Sequence, residues 1–179
     1  MGNICAGPSV PPVKKIVKAK ALSDSTFGKD PTLNPADFIC SKRTGELFVK
    51  SPGSINGQQF IVEDCTNCKI ILFDHIGCIQ IDNCQDCQIY AGPCSSSLFI
   101  RNCSRVELHC SVQQFRTREC SDMDIYLFSS TEPIIEMSSE LRIGCLTSSY
   151  FSIAEHFDKA KLSVWNNKWN EVIVYTYHG

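Results

Sequence analysis

The chain has 179 residues, 43% of them hydrophobic, and a formal net charge of -2 at pH 7. This length and composition suit one folded domain with a sizeable core plus some tail, and the slightly acidic balance argues against general nucleic-acid binding. The charge is uneven, because residues 1–43 carry seven Lys or Arg against three Asp or Glu, whereas residues 44–179 carry ten against sixteen.

The N-terminus, Met1-Gly2-Asn3-Ile4-Cys5, places a glycine behind a removable methionine and a thiol three positions later. This arrangement predicts N-myristoylation of Gly2 followed by S-palmitoylation of Cys5. A single myristoyl chain binds membranes only marginally, so Cys5 and the lysine-rich stretch from Lys14 to Lys20 would supply the second membrane signal. The combined features favour acylation over an ordinary, unmodified terminus.

The remainder of the N-terminal region is typical of a flexible linker, because residues 6–43 contain five prolines and no sustained apolar period. We therefore divide the chain into an acylated tail, residues 1–33, and a folded domain, residues 34–179. No apolar run approaches the ~18 residues of a spanning helix, and no secretory signal is present. The twelve cysteines are accordingly expected as thiols in the reducing cytosol.

An internal repeat organises the folded domain. Placing Cys65, Cys84, Cys103, Cys120 and Ser138 in one column gives separations of 19, 19, 17 and 18 residues. Within each repeat the apolar residues alternate with period 2, which indicates strands with one buried face, and such short periods are typical of stacked units. We therefore predict an all-β fold, a right-handed parallel β-helix of about five repeat turns.

Stacked turns ~4.8 Å apart bring equivalent positions together as ladders of side chains. Ahead of the Cys column, the predicted inward ladder holds Val62, Ile81, Ile100, Thr117 and Ile135. One flanking outward ladder holds Ile61, Gln80, Phe99, Arg116 and Ile134. The other outward ladder holds Glu63, Asp82, Arg101, Arg118 and Glu136. Arg116 and Arg118 are thus predicted to share one face.

After Cys145 the repeat ends and the pattern changes. Residues 152–161 predict a short helix, with Ser152 as N-cap and Glu155 at the third helical position, and this helix would cap the end of the stack. Residues 162–165, the turn at Asn166 and Asn167, and residues 171–177 predict closing strands.

The cysteines allow one alternative. The spacing Cys65-x2-Cys68-x15-Cys84-x2-Cys87 is that of a four-thiolate zinc site. The repeat favours a core ladder instead, because the second cysteine column continues as Val106, Met123 and Leu141, and a zinc ligand is not interchangeable with such apolar residues. Cysteine-nucleophile catalysis is also disfavoured, since no histidine has a spacing that pairs it with a particular cysteine.

The chain has no Gly-x4-Gly-Lys-Ser/Thr loop and no Gly-x-Gly-x2-Gly after a strand, so no nucleotide site or cofactor of its own is expected. Arg116 is anomalous, because its ladder neighbours Phe99 and Ile134 are apolar groups on an outward face, as at the centre of an interface. The carboxylate of Glu136 could hold either Arg116 or Arg118, as a bidentate pair. From the residues alone, a solvated charge ladder is an equal alternative.

From about Asn34 to Tyr177 the chain resembles the cofactor-C-like (C-CAP) β-helix family. The resemblance is carried by Gly57-Gln-Gln-Phe60, Asp64-Cys-x2-Cys68, Phe73-Asp-His75, Arg101-Asn-Cys103, Gln113-Gln-Phe-Arg116-x-Arg118, Pro133-Ile-Ile-Glu136 and Asn166-Asn-x-Trp169. It implies a GTPase-activating protein for an Arf-like small GTPase of the ADP-ribosylation factor-like protein 3 type.

In that family the arginine of the Gln-Gln-Phe-Arg motif enters the nucleotide site of the GTP-bound partner, so the resemblance implies that Arg116 is an arginine finger. Gln113 would then help order the catalytic centre, and Glu136 would hold the arginine. Arg118 and Trp165 would contact the partner, and Gln114, Phe99 and Ile134 complete the expected partner surface. GTP and Mg²⁺ would belong to the partner GTPase, and the protein itself would be a monomer.

The resemblance also implies a dually acylated protein on the cytoplasmic face of membranes, at the plasma membrane and the ciliary base. There it would release lipidated cargo from carrier proteins through GTP hydrolysis by the partner. Two other functions remain open: a non-catalytic, membrane-anchored adaptor that binds the GTP-bound GTPase as an effector, and a tubulin-cofactor-C-like activator in tubulin folding.

Overall fold

The computed structural model describes residues 32–176, which form a parallel β-solenoid of about six turns with one short α-helix. A 3-10 helix over Pro35–Phe38 leads into the first turn. The strands are β1 (Ile39–Ser41), β2 (Leu47–Lys50), β3 (Gln59–Glu63), β4 (Lys69–Leu72), β5 (Cys78–Asp82), β6 (Gln88–Arg101), β7 (Ser104–Arg118), β8 (Ser121–Ser129), β9 (Ile134–Glu136), β10 (Ser139–Cys145) and β11 (Ile173–Tyr175). The α-helix, α1, covers Ile153–Lys159. The predicted lipidation sites Gly2 and Cys5 lie outside the described residues.

Every strand pairing is parallel, and the pairings form two long sides of the solenoid. One side runs through β1, β3, β5, the second half of β6, the second half of β7, β9 and β11. The other runs through β2, β4, the first half of β6, the first half of β7, β8 and β10. The predicted parallel β-helix is therefore confirmed. Between residues 32 and 176, no helix is both long and apolar enough to cross a membrane.

The corner between these two sides explains the Cys column. The residue before each column position has a left-handed backbone, with φ of 54° at Asp64, 54° at Asn83, 52° at Asn102, 54° at Glu119 and 47° at Met137. Asn and Asp tolerate this conformation better than other non-glycine residues. The column residue then donates a hydrogen bond to the carbonyl two residues earlier, from Cys65 over 3.4 Å and from Ser138 over 2.8 Å. A small side chain that can donate a hydrogen bond fits this corner. Both Cys and Ser have such a side chain, so either can occupy the column.

The inward ladder and the four cysteines of the Cys column are buried, as predicted. Val62, Ile81, Ile100 and Thr117 have no exposed surface, and Ile135 has 7%. Burial raises the pKa of Cys40 and of Cys94 to about 12, so these thiols stay protonated at neutral pH. The four cysteines with zinc-like spacing donate to backbone carbonyls, each to the residue two positions earlier. Within residues 32–176, no three His, Cys, Asp or Glu side chains are grouped as metal ligands.

The solenoid has one more turn than the repeat predicted. This first turn contains β1 and β2, and its corner places Arg43 and Glu46 where the next turn has Cys65 and Cys68. The two charged side chains pair with each other, Arg43 Nη1 to Glu46 Oε2, over 2.6 Å. Charged residues are tolerated here because, among the residues that the structure describes, this turn has a stacking neighbour on only one side. The column therefore has Arg43 in place of a cysteine at this turn, and the sequence repeat did not reveal the turn.

The helix forms where predicted, but its predicted role as an end cap is wrong. It packs along the flank of the solenoid, where Phe157 meets Phe128 with ring centroids 5.1 Å apart. The preceding residue of the helix, His156, has its Nε2 3.5 Å from a carboxylate oxygen of Asp74. Ser152 makes no side-chain capping bond. Glu155 pairs instead with Lys159, Oε1 to Nζ, over 2.7 Å.

The prediction of two closing strands is half correct. β11 forms within the predicted residues 171–177, but residues 162–165 form no strand. The Asn167 side chain explains the difference, since its Oδ1 accepts hydrogen bonds from the Ser129 and Trp169 amides at 3.1 and 3.3 Å. These bonds fix a compact loop on the solenoid. Trp169 packs against the core, whereas Trp165 is 93% exposed.

Candidate functional site

The two outward ladders exist in the predicted register. The first continues Gln80, Phe99, Arg116, Ile134 and Ile173 through β5, β6, β7, β9 and β11. The second continues Asp82, Arg101, Arg118, Glu136 and Tyr175 through the same strands. Neighbouring parallel strands lie ~4.8 Å apart, so each side chain is within reach of the next. Arg116 and Arg118 therefore share one face of the solenoid.

Arg116 is held at the centre of this face by two contacts. Its Nη2 donates to Glu136 Oε1 over 2.8 Å, and its Cζ lies 5.6 Å from the centroid of the Phe99 ring. The Arg116 side chain is 26% exposed and that of Glu136 19%. The Arg116 Nε is buried and has no hydrogen-bond partner among the described residues. An unsatisfied buried donor costs roughly 1–3 kcal/mol, so this guanidinium is held in place but not fully satisfied.

The sequence left open which arginine Glu136 would hold, and the structure assigns it to Arg116. Arg118 is half exposed, and its Nε lies 3.4 Å from Glu119 Oε1. The bidentate geometry expected at Glu136 occurs instead two and three steps along the same ladder, where Arg101 donates to both oxygens of Asp82 over 2.6 and 2.7 Å. Glu136 makes a single contact with Arg116, which leaves that guanidinium more adjustable than the one of Arg101.

Gln113 and Gln114 lie at the start of the same strand segment, beside the arginines. They line a groove of about 360 Å³ together with Ser96, Thr131, Glu132, Ile134 and Ile173. The Gln113 backbone carbonyl accepts hydrogen bonds from the Thr131 amide and hydroxyl, at 3.1 and 3.0 Å, which fixes the backbone at this point. The Gln113 side chain is exposed. The structure thus brings Gln113, Gln114 and Ile134 together next to Arg116.

Trp165 does not belong to either ladder. It stands in the loop after α1, where Asn166 Nδ2 donates to the Ser130 carbonyl over 3.1 Å. Two residues that the sequence did not single out extend the two ladders by one strand: Ile173 is next to Ile134, and Tyr175 is next to Glu136. The alternation of residues 171–177 was the available signal, but it did not reveal which strand β11 would join.

A second polar cluster, away from the arginine face, explains the Phe73-Asp-His motif. Asp74 is 1% exposed and accepts hydrogen bonds from the amides of Ile55, Asn56 and His75 over 2.6, 2.7 and 2.8 Å. Burial alone would raise the pKa of Asp74, but the hydrogen bonds from these amides and that of Gly53 offset it and lower the pKa below its ordinary value. The cluster joins the preceding loop to α1 through His156 and is structural.

The chain is similar in sequence to a known protein family and to several known proteins. A family model described as tubulin binding cofactor C matches residues 57–173. Protein XRP2 of Danio rerio is 40% identical over 157 residues, 88% of this chain and 42% of that protein, and Protein XRP2 of Homo sapiens is 39% identical over 144 residues, 80% and 41%. Tubulin-specific chaperone C of Homo sapiens is 25% identical over 172 residues, 95% and 49%. The chain thus spans less than half the length of these curated relatives.

Proposed function

Because the chain belongs to the tubulin binding cofactor C family, we propose that it is a GTPase-activating protein that supplies Arg116 in trans to an Arf-like small GTPase. Membership of this family confirms the resemblance carried by the sequence motifs. The proposed partner is a GTPase of the ADP-ribosylation factor-like protein 3 type in its GTP-bound state. The partner brings GTP and Mg²⁺, and this chain brings the guanidinium and the surface around it.

The environment of Arg116 is the observation that carries the proposal. GTP hydrolysis develops charge on the phosphoryl oxygens, and a positioned arginine stabilises that charge. Arg116 stands between apolar neighbours, Phe99 and Ile134, on an outward face. Among the described residues it has one ion pair, and its Nε has no hydrogen-bond partner. A residue on a solvated charge ladder would be surrounded by water and counter-ions. Arg116 is instead partly desolvated and oriented, as an inserted finger requires.

The neighbouring residues take roles that fit their contacts. Glu136 holds the Arg116 guanidinium before the partner arrives, and Gln113 helps order the attacking water in the partner's site. Gln114 and Ile134 line the adjoining groove and supply polar and apolar contacts to the partner. Arg118, half exposed and only loosely paired with Glu119, is available for an acidic group of the partner. Trp165, which is 93% exposed, provides an outlying apolar contact.

We further propose that the protein works at membranes. Myristoylation of Gly2 and palmitoylation of Cys5, with the lysines from Lys14 to Lys20, would hold it on the cytoplasmic face of the plasma membrane and the ciliary base. Activation of the GTPase there would release lipidated cargo from carrier proteins.

A second candidate is a tubulin-cofactor-C-like activator in tubulin folding, and it is supported by the match to tubulin-specific chaperone C. It would use the same arginine on a different partner. The identity to this chaperone, 25%, is lower than the 40% identity to Protein XRP2, so tubulin folding is kept as the second candidate. A non-catalytic adaptor would bind the GTP-bound GTPase through the same face without using the guanidinium.

GTP turnover by a purified Arf-like GTPase, measured with and without this protein, tests the proposal. A GTPase-activating protein accelerates turnover at substoichiometric amounts, because it is released after each hydrolysis. An adaptor binds the GTP-bound form and leaves the turnover rate unchanged. The same assay with tubulin as the GTP-hydrolysing partner tests the second candidate.

A further inference from the structure

The ring of Phe99 carries two guanidinium groups. The Cζ atoms of Arg101 and Arg116 lie 5.0 and 5.6 Å from its centroid. Both distances are within the ~6 Å over which a guanidinium is attracted to an aromatic face. Arg101 is fixed independently by its bidentate pair with Asp82, whose Oδ2 also accepts from Gln80 Nε2 over 2.7 Å. One of the two cations on this ring is therefore locked to the solenoid.

Arg116 has fewer restraints than Arg101. Its side chain makes one hydrogen bond among the described residues, to Glu136, and its Nε is buried without a partner. A long side chain held at one end by a single hydrogen bond keeps much of its rotational freedom. The Phe99 ring is thus the second restraint on the guanidinium. The Phe99 ring already contacts two arginines of this chain. Its main contribution is therefore to hold Arg116 and not to bind the partner directly.

We propose that Phe99 is a positioning residue for Arg116. Its ring, steadied by the locked Arg101, holds the Arg116 guanidinium in the pose with which it meets the partner's phosphoryl group. This inference rests on the proposed function, since it concerns the placement of the group that acts on the GTPase. Phe99 acts through Arg116 and touches no reacting atom, so its loss affects the rate at saturation more than the affinity.

Phe99→Leu keeps an apolar side chain and removes the aromatic face. We expect kcat for stimulated GTP hydrolysis to fall ~10-fold, as loss of a partly desolvated cation–π contact implies. The affinity for the GTP-bound GTPase should change less than ~3-fold, because the proposed role of the ring is to hold Arg116 and not to bind the partner. Phe99→Tyr, which restores the aromatic face, should recover most of the rate. Phe99→Met serves as a second non-aromatic variant if Phe99→Leu loses the wild-type circular dichroism spectrum.

Phe48→Leu is the matched control. The Phe48 ring also carries two cations, Arg43 at 4.9 Å and Lys50 at 5.9 Å, but it lies in β2 in the first turn. This variant loses an equivalent ring without touching Arg116 and should leave kcat unchanged. In an Arg116→Ala background, Phe99→Leu should have no further effect, because the group that it positions is gone.

The outcomes separate the two proposals. If Arg116→Ala keeps full stimulation, the proposed function itself fails. If Arg116→Ala abolishes stimulation but Phe99→Leu and Phe99→Met keep the wild-type kcat, only the role of Phe99 is wrong. A loss of affinity at unchanged kcat would make Phe99 a partner contact and would also overturn the inference, as would an equal loss of kcat in Phe48→Leu.

Discussion

The carboxylate of Glu136 stands next to Arg118 in its own ladder but pairs with Arg116 in the neighbouring ladder, Oε1 to Nη2, over 2.8 Å. This diagonal contact orients the guanidinium of Arg116 along the face. Arg118 pairs with Glu119 instead. The two arginines of the motif are therefore different in kind: one is partly desolvated and held, and the other is half exposed.

Glu136→Ala should reduce stimulated GTP hydrolysis without abolishing it, because the guanidinium remains but loses the one hydrogen bond that it makes among the described residues. A charge-assisted hydrogen bond contributes roughly 1.5–3 kcal/mol, so a loss of about 10- to 100-fold in kcat/KM is expected. Glu119→Ala is the matched control, since it removes the carboxylate beside Arg118 and leaves Arg116 untouched. Equal rates for wild type and Glu136→Ala would show that the ion pair plays no part in positioning.

Asp74→Asn should destabilise the fold, because a neutral amide cannot accept all the backbone hydrogen bonds that the buried carboxylate accepts. At pH 7 we expect a loss of roughly 2–3 kcal/mol in the free energy of unfolding, measured by urea denaturation. The pKa of Asp74 is lowered in the folded state, so its contribution is complete above the unfolded pKa, ~3.9, and is lost as the pH falls through the folded value.

The difference in the free energy of unfolding between wild type and Asp74→Asn should accordingly become smaller below about pH 4, where the carboxyl group of the unfolded chain takes up its proton. Asp64→Asn is the control, because Asp64 is an exposed carboxylate at a left-handed corner that Asn also tolerates. Its unfolding curve should stay close to that of wild type. A gap for Asp74→Asn that is independent of pH would contradict the charged role of this residue.

Gly2→Ala should abolish both acylations, because palmitoylation of Cys5 follows the first, weak membrane contact of the myristoyl chain. Metabolic labelling with alkyne fatty acids and membrane fractionation in cells would measure the loss. Gly7→Ala is the matched control, since it makes the same substitution just beyond the acylation motif. Membrane fractionation of Gly2→Ala that equals wild type would rule out anchoring by acyl chains.

Much of the fold could be predicted from the sequence, because the corner geometry repeats and each corner needs a small donor after a left-handed residue. The columns from Cys65 to Ser138 follow from this requirement, and with them the ladder positions of Arg116, Arg118 and Glu136. The first turn could not be found, because Arg43 and Glu46 form an ion pair at this corner where the later turns have thiols.

The parts outside the repeat were harder to predict from the sequence, because their positions depend on tertiary contacts that leave no periodic pattern in it. The helix matched its sequence pattern, but its place on the flank depends on His156 reaching Asp74 and on Phe157 meeting Phe128. β11 was seen as a strand, yet only the structure brings Tyr175 beside Glu136. The choice of Arg116 over Arg118 as the partner of Glu136 likewise depends on side-chain conformations that ladder order does not determine.

Single-turnover GTP hydrolysis by a GTP-loaded Arf-like GTPase, with saturating wild-type protein, Arg116→Ala or Arg116→Lys, tests the central claim most directly. Wild type should accelerate hydrolysis by roughly 10³- to 10⁵-fold, and both variants should lose nearly all of this, because lysine keeps the charge but lacks the planar fork. Binding of both variants to the GTP-bound GTPase should fall much less than the rate. If both variants fold as wild type and retain full stimulation, Arg116 is not an arginine finger, and if wild type binds the GTP-bound GTPase without accelerating hydrolysis, the adaptor function takes its place.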